Sequence, residues 1–259
     1  MKKFISVHDV TDLSALVADA LRYKANPHAD KTLGSGKRIG LLFLNPSLRT
    51  RLSSQVAAQN LGMEAIVFNV GQEGWALEFE EEAIMSGNTV EHIKDAARVL
   101  SLYFDVLAIR TFPSLKNRED DYSELFINQV IKYAGIPVIS LESATLHPLQ
   151  SFADLITIQE TWKQPKKPKV VLTWAPHVKP LPQCVANSFS QWMTTWGECS
   201  ASARGSRLSP PPVVSPLILA FTTECPYPWS FRRCWSNCTQ PWATSMLYPA
   251  LRLSPSTST

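Results

Sequence analysis

Apolar residues in the first three-quarters of the chain fall into two patterns, short continuous runs and longer periodic stretches. The runs "KRIGLLFL" (37–44), "EAIVFNV" (64–70), "DVLAIRT" (105–111) and "IPVISL" (136–141) have strand length, and "KPKVVLTWA" (167–175) is a fifth. Their polar residues lie toward the ends, which fits strands covered on both faces. Segments 50–61, 89–102, 122–134 and 149–162 mix charged and apolar residues in a way that suits helices. The alternation predicts an α/β fold, a parallel sheet flanked by helices. In such sheets ligands bind beyond the carboxyl ends of the strands. The residues that follow each apolar run are therefore the first candidates for a site.

The pattern stops near residue 196. Residues 197–259 contain no Lys, Asp or His, but eleven Ser, nine Pro and four of the five Cys. No helical period survives the prolines. The segment reads as an irregular, low-order tail with room for two short strands, and a shifted reading frame would produce a break of this kind. Cys199, Cys225, Cys234 and Cys238 include no CxxC pair and have no histidine beside them, so no zinc site is expected. The chain is thus expected to divide into a domain at 1–147, the start of a second at 148–196, and the tail at 197–259.

Charge sharpens the division. Residues 1–196 hold 20 Lys and Arg against 20 Asp and Glu, so the net charge of +3 comes wholly from the tail. A neutral main body lacks the positive footprint that nucleic acid requires. No run of about eighteen uncharged apolar residues occurs, so no membrane-spanning helix is expected. The start, "MKKFISVHDVTDL", lacks the apolar core of a signal peptide, and a cytoplasmic location follows as an expectation.

The stretch "NPSLRTRLS" (45–53) directly follows the first apolar run. A helix starting there presents free backbone N–H groups and the positive end of its dipole. Ser47 and Thr50 add hydroxyl donors, while Arg49 and Arg51 add forked, permanently charged ones suited to phosphate oxygens. The alternative is a capped helix with solvated arginines. Neither GxxxxGK[ST] nor GxGxxG occurs, which argues against a nucleotide or dinucleotide loop. Arg110 ends another run, and His147 and Gln150 stand in "TLHPLQSFADL" just past the next. All would share one edge of the sheet. Pro148 suits a first helical turn and His147 the position before it.

These residues carry a resemblance. "SLRTR" and "HPLQSFADL" together resemble the carbamoyl-phosphate and HPxQ motifs of the aspartate and ornithine transcarbamylase family. "GQEGWALEFE", "NREDDY" and "LTWAPHVKPLP" resemble its acylornithine branch, the N-acetylornithine and N-succinylornithine carbamoyltransferases. The resemblance runs from residue 1 to about 195. It implies that Ser47, Leu48, Arg49, Thr50 and Arg51 cradle the phosphate of carbamoyl phosphate, and that Arg110, His147 and Gln150 contact the carbamoyl group. It implies that Trp75 reaches the site of a neighbouring subunit in a homotrimer, and that Glu142 and His177 lie near an N-acylornithine. Val90 occupies the place of a glutamate in the acetyl enzymes, which favours the longer, acidic succinyl group. The implied reaction is transfer of a carbamoyl group to the δ-amine of the acylornithine in arginine biosynthesis, with no metal or cofactor.

The chain departs from the family beyond residue 195. The HCLP-type motif is missing, "ECPYP" (224–228) does not replace it, and the closing C-terminal helix is missing too. Full turnover depends on domain closure for orientation and exclusion of water. The alternative expectation is therefore a truncated relative that binds phosphate or assembles without turning over.

Overall fold

The computed structural model describes residues 2–163 except 71, 75 and 86, together with 170–174, 188, 191–193, 195, 202–203 and 217–221. Five parallel strands form the main sheet: β1 (Lys3–Phe4), β2 (Arg38–Phe43), β3 (Glu64–Asn69), β6 (Val106–Arg110) and β7 (Val138–Glu142). Their order across the sheet is β1-β7-β6-β2-β3. The chain steps outward from β2 to β3, then returns to the other side of β2 for β6 and β7. Strand order reverses between β2 and β6, where α/β sheets open a crevice at their carboxyl ends.

Both faces of the sheet are covered, as the apolar runs predict. Ile39, Leu41 and Phe43 of β2 pack in one cluster with α1 (Leu13–Ala25), α2 (Arg49–Asn60) and α6 (Pro148–Thr161). Leu42 points the other way and joins Leu107, Ile109 and Val138 against α3 (Ile93–Tyr103) and α5 (Leu125–Tyr133). The two-residue alternation of a strand puts successive side chains into different cores. The first cluster continues without a break past residue 148, through Leu149, Phe152 and Leu155 of α6 to Trp192 and Met193. Phe152 and Trp192 rings pack with centroids 4.9 Å apart.

Four predicted helices form with shifted ends. The stretch expected from residue 89 begins as a helix only at Ile93, because Glu91–His92 (β5) pairs in parallel with Leu77–Glu78 (β4). His92 then caps α3, its Nδ1 accepting from Lys94 N–H at 3.0 Å. Several elements were not anticipated, α1 and β1 among them. α1 is capped by Asp12, which accepts from Ala15 N–H at 2.9 Å, and buries Leu16, Val17, Ala20 and Tyr23 at helical spacing. Short β1 lies beside β7. The strand expected at 167–175, in the start of the second domain, forms as β8 (Val170–Trp174), which pairs antiparallel with β10 (Leu217–Phe221) and parallel with β9 (Ser202–Ala203). The cysteines and most of the expected tail lie outside the described residues. Among the described residues no helix is long and apolar enough to cross a membrane.

Candidate functional site

Register sets the site. Phe43 at the end of β2 is the partner of both Asn69 and Arg110, and Arg110 is the partner of Glu142. Asn69, Phe43, Arg110 and Glu142 thus form a row along the carboxyl edge. The β2–α2 loop is tied to this row at the point where strand order reverses. Leu44 N–H donates to Arg110 O at 3.0 Å, and Phe112 N–H donates to Asn45 Oδ1 at 2.7 Å.

Arg110 is buried, and its fork is fully oriented. Nε donates to Glu142 Oε2 at 2.9 Å, Nη2 lies 2.8 Å from the same oxygen, and Nη1 donates to Pro46 O at 2.7 Å. Its guanidinium also stacks 4.6 Å from the Phe112 ring centre. His147 completes the cluster. It caps α6 as the sequence suggested, with Pro148 in the first turn. Gln150 N–H donates to its Nδ1 at 3.4 Å. A neutral ring used this way carries its proton on Nε2, and that atom stands 3.7 Å from Glu142 Oε2. Burial, the largest influence, holds the imidazole below its ordinary value; Glu142 opposes this and Arg110 reinforces it. The neutral ring therefore offers an N–H donor beside a cation.

The SLRTR turn is built differently. Leu48 precedes α2 with helical backbone angles and gives no side-chain cap, and no acidic residue stands in the first turn. Leu48 and Arg49 are exposed; Ser47, Thr50 and Arg51 are half-buried. Arg51 Nη1 donates to Asn69 Oδ1 at 3.2 Å, which leans it toward the same edge row. Asn69 is itself held by Glu73, whose Oε1 accepts from Nδ2 at 2.6 Å. Gly62, with φ +77°, ends α2 in a left-handed turn whose Cβ position would run into Lys31 O. The glycine fixes how far the helix extends from the site.

The structure thus gathers Arg110, Glu142 and His147 in direct contact and sets the SLRTR turn beside them through Pro46. The Gln150 side chain, on the first turn of α6, donates to Asp154 Oδ1 at 3.1 Å. Burial pushes the Asp154 carboxyl up to about 7, with the Gln150 bond acting in the opposite sense. Val90 is exposed, beside β4 through Val90 N–H to Ala76 O at 3.0 Å. Trp75 and His177 lie outside the described residues. Sequence reasoning missed Asn45, Asn69, Asp154 and Ser188. The asparagines carry a readable signal, since each ends an apolar run at the same edge as Arg110. Ser188, which accepts from His147 N–H at 2.7 Å across 41 residues of chain, carries none. Among the described residues no group of three or more His, Cys, Asp and Glu could hold a metal ion.

Residues 2–160 match the family described as aspartate/ornithine carbamoyltransferase, carbamoyl-P binding domain. Over 193 residues the chain is 50% identical to an N-succinylornithine carbamoyltransferase of Bacteroides fragilis, covering 74% of this chain and 60% of that protein. It is 39% identical over 195 residues to an N-acetylornithine carbamoyltransferase of Xanthomonas campestris, covering 73% of this chain and 56% of the relative. The crystal structure of acetylornithine transcarbamylase complexed with acetylcitrulline superposes with a TM-score of 0.68 at 37% identity, over 73% of this chain and 57% of that one. The chain spans about 60% of the length of the N-succinylornithine relative. The family match covers the sheet and every element that meets at its carboxyl edge, so the chain belongs to the aspartate/ornithine carbamoyltransferase family, with relatives in its N-succinylornithine and N-acetylornithine branches.

Proposed function

We propose that this carboxyl edge binds carbamoyl phosphate and transfers its carbamoyl group to the δ-amine of an N-acylornithine, N-succinylornithine before N-acetylornithine. The observation that carries the reading is the Arg110–Glu142–His147 cluster beside the uncapped start of α2, at the point where strand order reverses. In this reading Ser47, Leu48, Arg49, Thr50 and Arg51 hold the phosphate, the backbone N–H groups of α2 contributing with them. Arg110, Thr50 and the Nε2–H of His147 donate to the carbamoyl oxygen, and Gln150 orients the carbamoyl NH₂. The δ-nitrogen attacks the carbonyl carbon, negative charge gathers on its oxygen, and the donors stabilise it. The C–O bond to phosphate then breaks, and the amine proton passes to the departing phosphate. Domain boundaries at 147 and 196, a homotrimer in which Trp75 reaches a neighbouring site, and roles for Glu142 and His177 near the acylornithine belong to the same reading.

The acyl choice rests on Val90. A glutamate-to-valine mutant of N-acetyl-L-ornithine transcarbamylase has been solved in complex with carbamyl phosphate and N-succinyl-L-norvaline. Val90, exposed and uncharged, offers no carboxylate to repel a succinyl group. Val90→Glu should lower kcat/KM for N-succinylornithine about tenfold relative to N-acetylornithine, about 1.4 kcal/mol.

The direct test is incubation of the full chain with carbamoyl phosphate and N-succinylornithine, with phosphate and N-succinylcitrulline both quantified. Equal amounts of the two products are expected. A second reading is favoured by the break in sequence pattern near residue 196. It holds that the chain binds carbamoyl phosphate without turnover. Binding with neither product formed would select it.

A further inference from the structure

The segment "NREDDYSE" (117–124) lies outside the site, yet two of its carboxylates reach into the loops that carry site residues. Asn117 caps the short helix α4 (Arg118–Tyr122), its Oδ1 accepting from Glu119 N–H at 2.9 Å. Asp121 of this helix is buried and faces the loop that follows Arg110. Ser114 N–H donates to its Oδ1 at 2.6 Å and Leu115 N–H to its Oδ2 at 2.9 Å. Glu124, also buried, faces the loop between Glu142 and His147. Its Oε1 accepts from Ser143 Oγ at 2.8 Å, Thr145 N–H at 2.8 Å and Thr145 Oγ1 at 2.6 Å; its Oε2 accepts from Ala144 N–H at 3.1 Å. The Ala144 and Thr145 amides and the Thr145 hydroxyl all end on this one carboxylate, while the Ser143 amide closes the turn onto Leu146 O and Ser143 Oγ lies within reach of both Glu124 Oε1 and Leu146 O.

The backbone supports the same conclusion. Among the described residues two non-glycine residues have positive φ, Leu115 at 57° and Glu124 at 56°, and each sits at one of these contacts. Side chains avoid this region unless the surroundings impose it, and such strain gathers where geometry serves a site. A packing role alone would be met by apolar groups; here two buried acids are spent on loop amides.

We propose that Asp121 and Glu124 are positioning residues that clamp the loops after Arg110 and Glu142 and thereby hold Arg110 and His147 in one fixed arrangement at the sheet edge. The inference rests on the reading of Arg110 and His147 as the carbamoyl-contacting pair, but its test needs no substrate. Failure to bind carbamoyl phosphate would sink that reading and leave this test intact.

The experiment is NMR of the full chain with ¹³C-labelled histidine, the His147 signal among five histidines being identified from a His147→Gln variant. Glu124→Gln keeps the volume but turns an amide NH₂ toward amide and hydroxyl donors. With the loop loosened, His147 leaves its buried place against Glu142 and Arg110. Its midpoint is expected to rise toward the ordinary value of about 6.5. Thr145→Val, which removes one donor, should move it less in the same direction and covers the case in which Glu124→Gln does not fold. Asp121→Asn should speed exchange of the Arg110 Nε–H severalfold. Val130→Ala, a core truncation in α5, should destabilise the chain while leaving His147 unmoved. The proposal is overturned if the folded Glu124 and Thr145 variants keep the wild-type midpoint, if Asp121→Asn leaves Arg110 exchange unchanged, or if Val130→Ala shifts His147 as far as they do.

Discussion

The two halves of the sheet edge are built on opposite plans. Around Arg110 the protein has satisfied its own charges: a buried guanidinium, a buried carboxylate and a neutral imidazole are fixed by one another and by the loops behind them. Around Arg49 and Arg51 it has left a helix start without a side-chain cap or a first-turn acid, with the arginines half-buried or exposed. A site that must hold a small reacting group in one orientation gains from rigid donors that do not reorganise. A site that must admit and release a dianion gains from cations that keep much of their hydration until it arrives. Under the proposed function, the difference is that between a group to be oriented and a charge to be captured.

The contrast is broken most severely by Glu142→Ala. It leaves the Arg110 charge buried without its carboxylate partner, and unfolding in urea should show a loss of about 3–5 kcal/mol. Arg51→Ala should do the reverse: stability within about 0.5 kcal/mol of the parent, but phosphate binding weakened by about 1.5–3 kcal/mol as a charged hydrogen bond is lost. Calorimetry with inorganic phosphate reads it.

Asp154 gives a pH signature for the rigid half. Its folded value of about 7 lies above the ordinary 3.8 because burial penalises the charged form. The folded chain therefore holds a proton that the unfolded chain releases. Stability from this group is fully present below the ordinary value and is lost as pH rises through about 7. The slope is bounded by about 1.4 kcal/mol per pH unit. Asp154→Asn should flatten it across that window in urea titrations. The smallest effect is expected far from the site. Lys24→Ala breaks the half-exposed pair with Glu160, 2.6 Å apart, and should change stability by less than about 1 kcal/mol.

The main strands were legible because burial on both faces leaves continuous apolar runs, as in "RIGLLF" and "VLAIR". The helix ends were less so. Pairing of Glu91–His92 with Leu77–Glu78 delays α3 by a tertiary contact that no local pattern encodes. α1 had a readable start in Asp12 and a readable stripe, but its charged residues Asp19, Arg22 and Lys24 dilute the apolar spacing. At the site, residue types and positions could be read but not their pairing. Arg110 and Glu142 are 32 residues apart, and only the parallel register of β6 and β7 brings them together. Gln150 shows the limit: its place on α6 was foreseen, while its side-chain bond to Asp154, one helical turn on, was not.

The central claim is that the open half captures phosphate while the closed half receives the carbamoyl group. The most direct test is calorimetric titration of the full chain with fresh carbamoyl phosphate and, separately, inorganic phosphate, in the parent and in Arg51→Ala and His147→Gln. The account predicts that Arg51→Ala weakens both ligands alike, whereas His147→Gln weakens carbamoyl phosphate and spares phosphate. Equal loss of both ligands in His147→Gln, or no binding of either ligand by the parent, would contradict it.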